Sequence, residues 1–427
     1  MTSSVSQAPP RDELHRLLGH PTDLAGHVGV HGPLSAAVGN DASWRRAVTA
    51  GLEASGLSGR GGAGFPTSVK VAMATSHGQG GTVVVNGMES EPASDKDKVL
   101  LTRAPHLVLD GAQIVAAMCR AEHIVVCIPA GRDGVAAVVT HAMAERAAAQ
   151  YGGVSETIIR PPDRFIAGEE SALVGWVASG QPLPAFRPDK GTPLLIGKRH
   201  ALVHNAETLA HIALIARRGP DQFRARGLPE EPGTCLVTIG GAVVQPGVVE
   251  VDRGTPLQDI VSRGTPTGPI RAFLVGGYGG AWIGSPHFAM PYASMSLRTV
   301  GAKAGVGVII VLGETSCGIA ESARIARYLA GQSSGQCGPC VFGLPAIADD
   351  MSLLARGQVD PALRERLHRR LGEVSGRGAC RHPDGAVGLV RSAFTVFAED
   401  VVSHEQGEPC AQSGAPTILR FPRPVSL

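Results

Sequence analysis

Residues 82–92, TVVVNGMESEP, decide how the rest of the chain is read. The β-branched run predicts a buried strand over 82–86, and Asn-Gly then breaks it into a polar loop carrying two carboxylates. The same texture recurs downstream. A helix is predicted over 106–120, a strand over 124–128, an alanine-rich helix over 133–150 and a strand over 157–160. Strand alternating with helix predicts an α/β, Rossmann-like unit with a parallel sheet and helices on its faces. In such a fold the loops at the carboxyl ends of the strands hold ligands, and 86–92 is one of them.

Past Pro220 the pattern changes. Short strands at 235–239, 247–251, 271–275 and 307–312 are bounded by Gly and Pro, with one short helix at 256–262, as in a small α+β unit. From Cys317 onward helices are predicted over 320–330, 344–356, 361–371 and 388–402, before a proline-broken extended tail, PTILRFPRPVSL. With 427 residues the chain exceeds one ordinary core. The expected division is 1–228, 229–316 and 317–427.

Composition excludes several classes. A net charge of +2 with no basic block interleaved with aromatics gives no nucleic-acid footprint. No apolar run is long enough to cross a bilayer, and the first residues lack a secretory signal, so a cytoplasmic protein is expected. Eight cysteines in such a chain favour metal or redox use over disulfides.

Residues 59–67, GRGGAGFPT, followed by Lys70, form the sharpest local signal. Glycines let consecutive N–H groups converge on an anion, and a lysine adds a point charge for phosphate. The run lacks the Gly-Lys-Ser/Thr ending of a P-loop and follows no strand, so taken alone it also reads as a surface turn. It has company: Asn86, Glu89, Ser90 and Glu91 after the first strand, Gly168, Glu169 and Glu170 at a helix start, and Asn205 and Thr208 at another. The paired glutamates are equally readable as helix caps.

These four segments, in this order, resemble the flavin-bearing, NADH-oxidising subunit of respiratory complex I (the F subunits) and the related diaphorase subunits of soluble hydrogenases and formate dehydrogenases. The resemblance runs over about 40–400. It implies an FMN-binding α/β domain, a β-grasp domain of the SLBB type and a helical iron–sulfur domain. It also implies that Gly59, Arg60, Gly61, Gly62 and Lys70 cradle the FMN phosphate and ribityl chain. Asn86, Glu89, Ser90, Gly168, Glu169, Asn205 and Thr208 would line the flavin, Glu91 and Glu170 would face the nicotinamide nucleotide, and Phe65 would help grip its adenine.

The sequence departs from the family pattern in places. Met88 and Ala93 replace an aspartate and a glycine, and Val71, Ala72 and Met73 stand where aromatics are usual. Lys190 replaces a stacking phenylalanine, and with Arg187 it suits a 2′-phosphate, hence NADP(H) as an alternative to NAD(H). A lost stacking partner costs on the order of 1 kcal/mol, so flavin binding is better supported than nucleotide binding.

In the cysteine motif, 333–340 reads SSGQCGPC, with Cys380 at the family's distance. Ser334 falls at the first ligand position, leaving Cys337, Cys340 and Cys380. Three readings stand: a cluster ([4Fe-4S] with Ser334 or an exogenous ligand, or [3Fe-4S]), a Cys3His zinc site with His382, or an empty site with buried cysteines. Cys119, Cys127 and Cys235 read as core, and Cys317 matches a family cysteine that is not a ligand.

The resemblance implies an oxidoreductase in which a pyridine nucleotide reduces FMN and electrons leave through the iron–sulfur centre. The acceptor would be a ferredoxin, a quinone or another redox subunit, with peripheral association to a membrane redox complex. Two alternatives are a flavoprotein reduced by a ferredoxin-type donor, with nucleotide binding lost, and a non-catalytic assembly subunit.

Overall fold

The computed structural model describes residues 17–19, 21–34, 38, 42–76, 80–187 and 192–422. Lys190 and the first sixteen residues lie outside them.

Five strands make the first sheet: β1 (Gly81–Asn86), β2 (His123–Cys127), β3 (Ser155–Ile159), β4 (Leu194–Ile196) and β5 (Arg199–Asn205). Their order is β3-β2-β1-β5-β4. β1, β2, β3 and β5 run parallel, and β4 is an antiparallel edge on β5. Successive side chains serve opposite faces, as a period of two requires. Val83, Val85, Ile124, Val126 and Leu202 join the core with helices Pro105–Cys119 and Ala206–Arg218. Val84, Val125, Cys127 and Val203 pack with Leu173 and Val174 of helix Glu170–Ser179 on the other face.

The first two helices touch at backbone distance. A Cβ on Gly111 would lie 2.0 Å from the Leu209 carbonyl oxygen. That contact fixes how Ala206–Arg218 sits, and therefore where Asn205 and Thr208 are presented.

The second sheet contains β6 (Thr234–Gly241), β7 (Gly247–Asp252), β8 (Ile270–Val275), β9 (Ala281–Gly284) and β10 (Val308–Gly313), in the order β7-β6-β10-β8-β9. β10 is parallel to β6 and antiparallel to β8. Helix Leu257–Ser262 covers one face with Leu257, Ile260 and Val261. The other face, through Ala272, Leu274, Ile310 and Leu312, packs on the helical region that begins at Gly318. Trp282 Nε1 donates to Ser322 Oγ at 2.8 Å across that contact.

One expectation is corrected. The helix expected over 388–402 is two helices, His382–Val396 and Ala398–Glu405, because Phe397 leaves helical geometry to bury its ring against Gly318 and Trp282. The tail, expected to be extended, has no regular structure over 415–422 and is docked on the body of the protein. Thr417 and Ile418 donate to Glu321, and Tyr278 donates to the Arg420 carbonyl.

Candidate functional site

The glycine run is a turn between helices Ala42–Ser55 and Thr67–Ser76. Gly59 N–H donates to Phe65 O, and Thr67 N–H to Leu57 O, closing its base. Gly62 and Gly64 have φ of 104° and 61°, which side-chain-bearing residues rarely adopt. Arg60 N–H donates to Thr208 Oγ1 at 2.9 Å, which ties the turn to the helix that follows β5. The Arg60 guanidinium donates to Ser58 Oγ at 3.2 Å, at the base of the turn. It is buried, donating to Thr234 O at 3.0 Å and lying 3.9 Å from Glu207.

Lys70 Nζ donates to Val203 O at 2.6 Å and pairs with Glu170 Oε1 at 2.5 Å. Glu170 also meets Arg187 at 3.4 Å. Asn86 Nδ2 donates to Gly168 O at 3.0 Å, and Gly168 admits no Cβ because Ser90 Oγ would be 2.2 Å from it. Thus the loops after β1 and β5, the Gly168 turn and the glycine run meet in one place. Phe65 is half-buried at the turn's base.

The carboxylates divide by task. Glu169 caps helix Glu170–Ser179, accepting from Ser171 and Ala172 N–H at 2.9 Å each. Glu89, at a positive φ of 38°, turns back to accept from the N–H groups of Asp97 and Lys98. Burial, with Asp97 nearby, pushes its carboxyl up to about 7. Glu91, expected against the nicotinamide nucleotide, is 6% exposed and accepts the Tyr278 N–H at 2.9 Å.

Sequence reasoning missed the charge network beneath these loops. Lys96 is 1% exposed and contacts Asp97 at 2.8 Å, Glu207 at 2.9 Å and Asn205 Oδ1 at 3.1 Å. Burial opposes charge on Glu207, but Lys96, His211 and Arg60 outweigh it and hold the carboxyl at about 2. His204, also missed, is buried beside Lys70; burial and that cation hold it well below the usual histidine range. Its Nε2 has no hydrogen-bond partner among the described residues.

Cys337 and Cys340 lie on the turn entering the π-helical segment Pro339–Gly343, where Cys340 N–H donates to Cys337 O at 3.0 Å. Cys380 precedes helix His382–Val396. Burial opposes the Cys337 thiolate, yet backbone donors from Ala379 and Cys340 bring its pKa below the ordinary value. Burial and Cys337 push Cys340 up to about 11. Cys380 is raised by burial and by the charge of Glu169. Ser334 is half-buried in the same turn.

This turn is braced directly on the loops described above. Gln332 accepts the Phe165 N–H at 3.1 Å, Gln336 donates to Pro184 O at 3.2 Å, and the His382 ring lies 5.4 Å from that of Phe165.

The comparisons with known proteins follow the same two segments. Residues 52–214 match the Nuo51 FMN-binding domain, and residues 320–404 match the NADH-ubiquinone oxidoreductase-F iron–sulfur binding region. Together these span more than half of the chain. The chain carries both domains of the NADH-quinone oxidoreductase F-subunit family. Within it, the F subunit of NADH-quinone oxidoreductase in Streptomyces coelicolor is 26% identical over 372 residues, covering 84% of this chain and 83% of that one. The Escherichia coli F subunit is 27% identical over 365 residues, covering 81% of each. A solved NAD+-reducing [NiFe]-hydrogenase chain is superimposed with a TM-score of 0.78 at 28% identity. The match covers 84% of this chain and 63% of the hydrogenase chain, under two thirds of its length.

The residues of this F-type chain fit both groups of the family. The open-sided glycine turn and Lys70 offer donors to an anionic, ring-bearing flavin. Three thiols on one braced turn and the adjoining loop suit an iron–sulfur cluster better than zinc. A single zinc ion would gather its ligand atoms within about 4 Å of one another. Among the described residues Cys337, Cys340, Cys380 and His382 are not gathered so closely, and His382 Nε2 is 2.8 Å from Leu329 O. Cys127 and Cys235 are buried in strands, as core packing requires, and Cys119 packs against the first core. Among the described residues no helix is long and apolar enough to cross a membrane.

Proposed function

We propose that this protein oxidises a nicotinamide nucleotide at FMN and sends the electrons through an iron–sulfur centre to a redox partner subunit. The observation that carries the reading is the bracing of the cysteine turn on the Phe165–Gly168 segment, which supports two adjacent redox sites. When bound, the flavin supplies the exchange between a two-electron hydride and single electrons.

The chain's own residues bind and orient. Lys70 and the turn from Gly59 to Gly62 hold the phosphate end, and Asn86, Ser90 and Gly168 form the wall between the turn and the cysteines. Glu169 holds the N-terminus of its helix, and Asn205 and Thr208 fix the glycine turn from below. Glu170, freed from Lys70 when phosphate arrives, is left with Arg187 at the nucleotide side. Cys337, Cys340 and Cys380 ligate the cluster, with Ser334 or an external ligand completing it. NADH is the nucleotide named for the relatives, and NADPH is the alternative that Arg187 favours.

The test is anaerobic reconstitution with FMN followed by titration with NADH and NADPH. Bleaching of the flavin by either supports the reading; bleaching by neither removes the dehydrogenase half of it. A second reading, a flavoprotein reduced by a ferredoxin-type donor, is favoured by Val71, which replaces a family aromatic and is 1% exposed, leaving no stacking surface there. Reduction by a ferredoxin but not by nucleotides would select it.

A further inference from the structure

Cys317 and Cys410 lie apart from the cysteine turn described above. Cys317 caps helix Gly318–Gly331, with Ala320 N–H donating to its Sγ at 3.3 Å. His404 closes helix Ala398–Glu405 and is fully buried. Cys410 follows it, half-buried. One ligand atom from each of the three lies within 4.8 Å of the other two.

The imidazole is set as a metal ligand's would be. His404 Nδ1 lies 3.0 Å from the Leu354 carbonyl, so the ring proton belongs on Nδ1 and Nε2 keeps its lone pair. A backbone carbonyl on the far nitrogen is the usual outer partner of a ligating histidine. The unprotonated Nε2 faces Cys317 Sγ at 3.6 Å and accepts the Cys410 N–H at 3.3 Å, a hydrogen bond that a metal ion would replace. Two thiols and one unprotonated imidazole therefore converge. Burial pushes the Cys317 thiol up to about 12, the Ala320 N–H only partly opposing it, so a bound cation must displace its proton.

We propose that Cys317, His404 and Cys410 form a second metal site, a Cys2His site for a thiophilic d10 ion such as Zn2+. Thiolate and imidazole are the ligand types that such ions select. One Zn2+ enters, two thiol protons leave to solvent, and no electrons move. The three donors leave the fourth position to water, and a small contraction brings the three ligand atoms to bonding distance. The site would clamp the segment after Glu405, which runs on to the docked tail at Thr417 and Ile418, to the N-terminus of helix Gly318–Gly331. It is independent of the flavin reading.

The test uses the full chain, purified anaerobically, stripped with a chelator, then titrated with Zn2+ and, as a spectroscopic probe, Co2+. Cys410→Ser and His404→Gln are compared with Cys340→Ser, which reports metal held by the other cysteine turn, and circular dichroism checks that each is folded. The expected result is one equivalent of zinc lost, or its affinity lowered more than about a hundredfold, in Cys410→Ser and His404→Gln. The thiolate-to-cobalt absorption should weaken in Cys410→Ser and persist in Cys340→Ser. Equal zinc and cobalt binding by the wild type and Cys410→Ser overturns the proposal. So does recovery of Cys317 and Cys410 as a disulfide from zinc-treated protein.

Discussion

Lys70 and Glu170 meet at 2.5 Å, across the mouth formed by the glycine turn and the helix that starts at Glu170. The pair holds together two helices that the sequence separates by a hundred residues, and it places the lysine proposed to hold phosphate against a carboxylate. On the proposed reading Lys70 has two partners in competition, Glu170 and the phosphate of the ligand.

Lys70→Met should lower FMN affinity by about 10–100-fold, the loss expected for one charge-assisted hydrogen bond of roughly 1.5–3 kcal/mol. Glu170→Gln removes the competitor and should leave FMN affinity equal or higher. Fluorescence titration of the apoprotein with FMN measures both. If Glu170→Gln weakens FMN as much as Lys70→Met does, the competition does not exist.

Glu91 governs a pH effect. Burial raises its carboxyl from 4.5 to about 7, the N–H groups of Tyr278 and Ala93 only partly opposing the shift. The folded state thus holds a proton that the unfolded chain releases near 4.5. The stability it contributes is complete below that value and is lost as pH rises through about 7. Relative to Glu91→Gln, the wild type should lose on the order of 3 kcal/mol between about pH 4.5 and 7. Urea unfolding of both proteins at several pH values gives the difference; a constant gap across the range would contradict the assignment.

The cysteine turn makes a compositional prediction. Cys340→Ser should abolish iron and acid-labile sulfide in anaerobically purified protein, because two thiolates are too few for a cluster that usually takes four. Ser334→Cys restores the fourth, and the iron retained per chain should rise. Elemental analysis with low-temperature electron paramagnetic resonance measures both. Iron unchanged in Cys340→Ser would place the metal elsewhere.

Gly111→Ala should destabilise the protein by about 3 kcal/mol or more, as overpacking at a backbone contact does. The new methyl would stand 2.0 Å from Leu209 O and must push two core helices apart. A melting temperature within a degree or so of the wild type would show that the helices yield without cost.

Much of the fold was legible along the chain, and the reason is periodicity. The valines of 83–85 and the run at 124–126 are apolar without a break, and they form the central buried strands of the first sheet. β5 was not legible. Arg199-His-Ala-Leu-Val-His-Asn205 carries only three apolar residues between charged or polar ends, yet it pairs in full register with β1. Its strand character comes from its neighbour and not from its own composition.

Lys96 shows the same limit at the site. Within Ser94-Asp-Lys-Asp-Lys98 it reads as a solvated lysine, and no local signal marks it. Asp97 pairs with it from the next position, and the approach of Asn205 and Glu207, more than a hundred residues away, completes the partners that make burial of its charge tolerable. Cys410 is likewise a lone cysteine in sequence and a neighbour of Cys317 and His404 in space.

Local order in the chain is enough to set the strand–helix alternation, the glycine turn and the spacing of Cys337, Cys340 and Cys380, since these depend on backbone freedom, periodicity and short separations. Packing between distant segments assigns tasks that local order does not. It turns Glu89 and Glu91 inward to backbone N–H groups, gives Glu170 to Lys70, and sets the cysteine turn against Phe165. Hydrogen-bond and ion partners are chosen by proximity between segments distant in the chain, and that proximity exists only after the sheets and helices have packed.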